Sequence, residues 1–272
     1  MAATPDRPAA FFDLDRTIIA RSSTLAFSRS FYQGGLISRT SVLRSAYAQL
    51  VFHFGGADHD QIERLRAYLS SQAAGWDVGT VKAIVAETLH NIVDPLVYDE
   101  AVELIEGHHR DGHDVVIVST SGAEVVEPIG RMLGVDHVIA TEMVQDEGRY
   151  TGEIKFYAYA ANKASAIVDL AQREGYDLQR SFAYSDSATD LPMLEVVAHP
   201  FAVNPDKQLR RLAFEREWPV LDFVKPVQLR KRVHFEPTRA TVTAMALGAG
   251  AAAAAGAVTL AARRHRRVAT TS

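Results

Sequence analysis

An α/β fold built on a parallel sheet is what this 272-residue sequence predicts, on three observations. Short apolar runs alternate with stretches of helical periodicity, the pattern of strands joined by helical crossovers. Polar residues gather at or just after the carboxyl ends of those runs, where open parallel sheets bind ligands. An apolar content of 47% is enough to bury a full core, and the absence of cysteine excludes a disulfide framework and a thiolate metal site.

Strands are expected at 10–14, 114–118, 137–141, 181–184 and 201–204, each an apolar run. Helices are expected at 99–110, 125–133, 163–173 and 192–197. Pro192 suits a first helical turn, where its missing donor is not needed, and Gly112 and Gly175 stand where helix ends are expected. Roughly a hundred residues separate the first two strands, far more than a crossover needs, and they carry apolar residues at helical spacing over 25–32, 41–54, 61–70 and 81–90. Gly34-Gly35, Gly55-Gly56 and Gly75 break that module, which occupies 21–94. A shorter insertion, 142–154, has Gly148 in a hairpin turn and reads as a flap.

The first strand ends in Asp13-Leu14-Asp15-Arg16-Thr17, which places two carboxylates two residues apart. Residues i and i+2 of a strand share a face, and two acids so close repel unless a cation or a shared proton compensates. Three further polar stations follow apolar runs: Ser119-Thr120-Ser121-Gly122, then Asn162-Lys163, then Ser185-Asp186 with Asp190. Each has an ordinary alternative, Ser119 as a helix cap, Lys163 as a solvated first-turn lysine, Asp186 and Asp190 as a pair favoured by a helix dipole. Together they read as one site for phosphoryl transfer, which needs a nucleophile, a metal, a cation with hydroxyls, and an acid.

These four motifs, in this order over residues 11–223, resemble the haloacid dehalogenase superfamily, in the branch that includes phosphoserine phosphatase. The resemblance implies a Rossmann-like core over 8–20 and 95–225 with a helical cap inserted after the first strand, over 21–94. It implies that Asp13 attacks phosphorus to form an aspartyl-phosphate, while Asp15 protonates the leaving alcohol and later activates water. Asp13, the carbonyl of Asp15 and Asp186 would bind Mg²⁺, a hard cation that takes oxygen ligands. Lys163 would balance the transition-state charge and Asp190 would orient the metal shell or Lys163. Ser119 and a backbone N–H at Thr120 would hold the phosphoryl oxygens, with Thr17 and Asn204 as further phosphate-binding candidates. Thr17 could instead stiffen its loop, and Asn204, before Pro205, could form a turn.

Three departures from that branch stand out, and the first bears on substrate. The glutamate that contacts the amine of phosphoserine, nine residues after the nucleophile, is Ser22 here. Ser185 stands where a glycine precedes the fourth-strand acid, and Ser119-Thr120-Ser121 replaces the common Ser-Gly-Gly. A phosphotransferase using the same intermediate and a non-catalytic regulator on the same fold are the alternatives. His108-His109-Arg110-Asp111-Gly112-His113 reads as the solvated basic end of a helix rather than a metal cluster.

Charge is uneven: the chain carries −4, but the tail from Arg230 carries eight Lys and Arg against Glu236, leaving the body strongly acidic. No nucleic-acid partner is expected for such a body. After a basic linker, 226–239, residues 240–262 form an uncharged stretch rich in alanine, and 263–272 are a basic tail. Twenty-three residues can span a bilayer, although twelve alanines and three glycines make a weak span. The expectation is a transmembrane or membrane-associated helix there. With no apolar leader ahead of the first strand, the catalytic body is expected in the cytoplasm, attached to the inner face of the cell membrane. The expected partner is a small-molecule or lipid phosphate monoester.

Overall fold

The computed structural model describes residues 7–37, 70–71 and 73–224. The tail beyond Val224, with the expected membrane segment at 240–262, lies outside the described residues. The expected helices at 41–54 and 61–70 also fall outside them, save Ser70. Among the described residues no helix is long and apolar enough to cross a membrane.

Among the described residues seven strands form one sheet: β1 (Ala9–Phe12), β2 (Asp114–Gly122), β3 (His137–Asp146), β4 (Arg149–Phe156), β5 (Phe182–Ser185), β6 (His199–Val203) and β7 (Val220–Leu221). Their order is β4-β3-β2-β1-β5-β6-β7, parallel throughout except for the antiparallel β3–β4 hairpin. The winding therefore reverses at β1, which pairs with β2 on one side and β5 on the other.

A strand so placed is covered on both faces, which is why Ala9, Ala10, Phe11 and Phe12 are all fully buried and run without polar alternation. Alternate side chains feed two separate cores. Ala10, Phe12, Val115 and Ile117 pack on one face with the helices α1 (Ser23–Gln33), α2 (Val78–Val93), α3 (Asp99–Arg110) and α4 (Ala123–Leu133). Ala9, Phe11, Val116 and Val118 pack on the other with α5 (Ala161–Glu174), α6 (Leu191–Glu195) and α7 (Lys207–Glu215).

Local chemistry sets the ends of these elements. Ser22 caps α1 and Asp77 caps α2, each side chain accepting an otherwise orphaned backbone N–H. Gly175 closes α5 at φ 75°, a left-handed conformation that a side chain would strain. The β3–β4 turn places Glu147 at φ 44° and Gly148 at φ 76°, positive at both central positions as a type I′ turn requires.

Several boundaries differ from the sequence expectation. The second strand runs on past Val118 to Gly122, so Ser119 and Thr120 lie within it. The third strand and the expected flap are one long hairpin, β3 with β4, continuous with the main sheet. Helix α7 and strand β7 were not anticipated. The histidine run is a solvated basic helix end from His109 to Gly112, but not at His108, which is buried, its Nε2 2.9 Å from the Tyr184 hydroxyl and its Nδ1 3.0 Å from that of His113. Burial pushes the His108 pKa down to about 4, so the ring is neutral and belongs to the core.

Candidate active site

The strand ends beside the winding reversal open into a cavity of about 270 Å³. Seven residues expected from the sequence line it together: Asp13, Asp15, Ser119, Thr120, Lys163, Asp186 and Asp190. Parallel pairing explains their convergence. β1 and β5 run side by side with Phe12 opposite Tyr184, and the Asp13 N–H donates to the Tyr184 carbonyl at 2.9 Å, so Asp13 and Asp186 leave adjacent strands at the same end.

Lys163 is only 1% exposed, which removes the solvated first-turn alternative. Its Nζ donates to Asp13 Oδ1 at 2.7 Å and to Asp190 Oδ2 at 2.8 Å. Burial disfavours an ammonium charge, yet the two facing carboxylates outweigh it and hold Lys163 above the ordinary lysine range. Asp190 Oδ2 also accepts the Ser185 hydroxyl at 2.7 Å, so the side chain that replaces a glycine there supports the lysine's partner.

Burial pushes the pKa of Asp13 up to about 7, with Lys163 opposing and Asp190 and Asp15 adding to the rise. Burial followed by the charge of Asp13 pushes Asp186 up to about 8. Asp13 and Asp186, two buried carboxylates of which the first hinders ionisation of the second, form a hard oxygen donor set that suits a divalent cation such as Mg²⁺. Among the described residues no group of three or more His, Cys, Asp or Glu could hold a metal by side chains alone. A cation here would therefore depend on a backbone oxygen or water besides Asp13 and Asp186.

Asp15 is turned differently. Its Oδ1 accepts the Ser23 N–H at 2.8 Å and its Oδ2 the Ser121 hydroxyl at 3.1 Å. Burial raises its pKa while these neutral donors lower it. Next to it Arg16 sits at φ 65°, a strained conformation for a non-glycine residue, and its guanidinium reaches Asp186 Oδ2 at 3.4 Å.

Ser119 is buried, its hydroxyl accepting the Ser121 N–H at 3.2 Å, and Thr120 donates its hydroxyl to the Ala158 carbonyl at 2.9 Å. Thr17 is fully buried off the cavity lining, and its Oγ1 has no hydrogen-bond partner. Asn204 does not line the cavity either. Its amide donates to the Phe223 carbonyl at 3.0 Å and accepts the Phe223 N–H at 2.9 Å, an arrangement that anchors the chain after β7.

Residues that the sequence reading did not single out complete the lining: Arg16, Tyr157, Tyr159, Ser187, Thr189 and Asp206. The rings of Tyr157 and Tyr159 stack at 5.4 Å, ahead of the helix that carries Lys163. Asp206 accepts the Ala188 N–H at 3.0 Å and ties down the loop after Asp186. Only an aromatic pair just upstream of Lys163 was open to notice in the sequence. Hydroxyls and surface acids are too common to stand out.

A family model described as haloacid dehalogenase-like hydrolase matches residues 10–195. A Streptomyces azureus protein named for inhibition of morphological differentiation is 63% identical over 246 residues, covering 89% of each chain. A protein named probable phosphatase from Mycobacterium tuberculosis is 55% identical over 242 residues, covering 89% of this chain and 84% of that one. Among solved structures, a Bordetella pertussis protein of unknown function superposes with a TM-score of 0.70 at 28% identity, over 79% of this chain and 98% of that one. A substrate-bound phosphoserine phosphatase superposes with a TM-score of 0.59 at 19% identity, over 83% of this chain and 96% of that one, a likeness of fold.

Proposed function

The chain belongs to the haloacid dehalogenase-like hydrolases and is a phosphoric monoester hydrolase, and from that premise we propose that it works with Mg²⁺ through an aspartyl-phosphate on Asp13. The observation that carries this reading is the ion pair of buried Lys163 with Asp13 and Asp190, set beside Asp186. A lysine so bound favours the ionised, nucleophilic form of Asp13, against the burial that would keep it protonated.

In this reading Asp13 attacks phosphorus while Ser119 and the backbone at Thr120 hold phosphoryl oxygens. Asp15 gives its proton to the leaving oxygen and later takes one from water. Lys163 offsets charge on the transferring group, and Asp190, braced by Ser185, keeps the ammonium in place. Bound Mg²⁺, on Asp13, Asp186 and the Asp15 carbonyl, would supply positive charge to the phosphoryl oxygens. Thr17 acts in its loop, beneath the lining rather than on the phosphate.

On the substrate side Ser22 both caps α1 and lines the cavity, where an ammonium-binding glutamate would stand in a phosphoserine phosphatase. A neutral hydroxyl there favours an ester without an amine beside the phosphate. The uncharged stretch 240–262 and the arginines after it support a lipid-linked ester, with the body held at the inner face of the cell membrane.

Phosphate release from a panel of soluble esters, including phosphoserine, and from a phosphatidate vesicle tests both levels. Mg²⁺-dependent release by the wild type that vanishes in Asp13→Asn is expected, with phosphoserine among the poor substrates. Turnover by Asp13→Asn equal to wild type would refute the intermediate. Equal or better turnover of phosphoserine than of the vesicle would refute the lipid reading.

A further inference from the structure

Ser121 and Ser23 are buried, polar and outside every role given above. Ser121 ends the run that replaces the common Ser-Gly-Gly, so its hydroxyl is an addition to the pattern the chain resembles. That hydroxyl donates to Asp15 Oδ2 at 3.1 Å. It accepts the Ser23 hydroxyl at 2.7 Å and lies 3.2 Å from the Thr24 hydroxyl. The Ser23 N–H takes the other oxygen, Asp15 Oδ1, at 2.8 Å. Each oxygen of Asp15 thus has its own donor, one from the end of β2 and one from the first residue of α1.

A carboxyl group turns easily about its last bond, so one donor fixes a position and two fix a plane. We propose that Ser121 is a positioning residue for departure of the leaving group: backed by Ser23, its hydroxyl holds Asp15 in the orientation from which the proton is delivered. The inference rests on the reading of Asp15 as the acid. In that step an Asp13 oxygen bonds to phosphorus as the bond from phosphorus to the ester oxygen breaks. The electron pair stays on the departing oxygen, which takes the proton of Asp15. Water then attacks phosphorus, returns a proton to Asp15 and releases phosphate and the free Asp13 carboxylate.

Leaving groups separate this role from a merely structural one. An alkoxide needs the proton as it leaves, whereas p-nitrophenolate departs without it. Ser121→Ala, Ser121→Thr and wild type are to be compared on glycerol phosphate and p-nitrophenyl phosphate with Mg²⁺. In the first turnover, Ser121→Ala is expected to slow alcohol release from the alkyl ester about tenfold and to leave the p-nitrophenolate burst within about twofold, while the later attack of water slows alike on both esters. Ser121→Thr, which restores the hydroxyl, should recover most of the loss. Equal losses on both esters in the first turnover, or none on the alkyl ester, overturn the role of Ser121 and leave the hydrolase reading standing. A wild type that turns over neither of these esters nor the phosphatidate vesicle overturns both.

Discussion

Asp13 and Asp15 stand two residues apart at the same strand end, yet their surroundings have opposite character. Asp13 meets a buried ammonium shared with Asp190, whereas Asp15 meets two hydroxyl-linked serines and a backbone N–H. A charged partner favours a lasting carboxylate, as a nucleophile requires. Neutral donors leave a carboxyl free to gain and lose its proton, as an acid and base requires. Spacing in the motif does not distinguish the two; the partners do, and those come from α5, β2 and α1.

The comparison breaks most sharply by removing each acid in turn. Asp13→Asn should lose at least about a thousandfold in turnover on every ester. Asp15→Asn should lose about a hundredfold on alkyl esters yet give a burst of p-nitrophenolate and then stall, because water is no longer activated. Stopped-flow traces on the aryl ester check this, and identical traces for the two variants would erase the distinction.

Lys163→Met tests the charged side alone. It leaves Asp13 and Asp190 buried without their cation, and is expected to cost about 3–5 kcal/mol in urea unfolding at pH 8. The cost should shrink at pH 5, where the carboxyls can protonate. A penalty independent of pH would mean that packing, not charge, keeps the lysine there.

Metal-free wild type should show a milder version of the same effect. Asp13 and Asp186 titrate at about 7 and about 8 against a reference value of 3.8. Between those limits the native state binds more protons than the unfolded chain, so stability falls as pH rises from about 4 to about 8. Lys163, whose pKa is raised as well, contributes in the same direction but only above the ordinary lysine range, outside this window. Mg²⁺ favours the ionised forms, so its gain in Tm should be larger at pH 8 than at pH 5.5. Thermal unfolding in chelator and in Mg²⁺ measures it, and a metal-free Tm that is flat over this range would contradict the burial of the pair.

Asn204→Ala should have the smallest effect. Loss of its two bonds to Phe223 is expected to cost about 1–2 kcal/mol of stability with kcat and KM unchanged. A raised KM would return it to the phosphate site.

What the sequence made legible follows the physics of each position. Apolar runs ending in acids announce β1 and β5, because both faces of a central strand are buried and periodicity has nothing to hide. Lys163, Asp186 and Asp190 were found because charged residues in that order have few uses. Ser121 and Ser185 stand out in the sequence only as departures without a role, and Ser23 not at all, since a serine looks the same on a surface as when it braces a carboxylate. His108 was misread because its neighbours in sequence are polar while its neighbours in space are Phe12, Phe182 and Tyr184. Strand β7 is two residues long, below what alternation can signal.

Directly behind the acids, Phe12 and Tyr184 stack with ring centroids 4.3 Å apart and planes within 10°. Asp13 is the next residue after one ring, and Asp186 the second after the other. Stack and strand pairing together hold the floor beneath the two acids, so the spacing from which Asp13 and Asp186 start is fixed by the sheet rather than by the loops above it. Selectivity can therefore be rebuilt from above, at Ser22 or the stacked tyrosines, with that calibration left untouched.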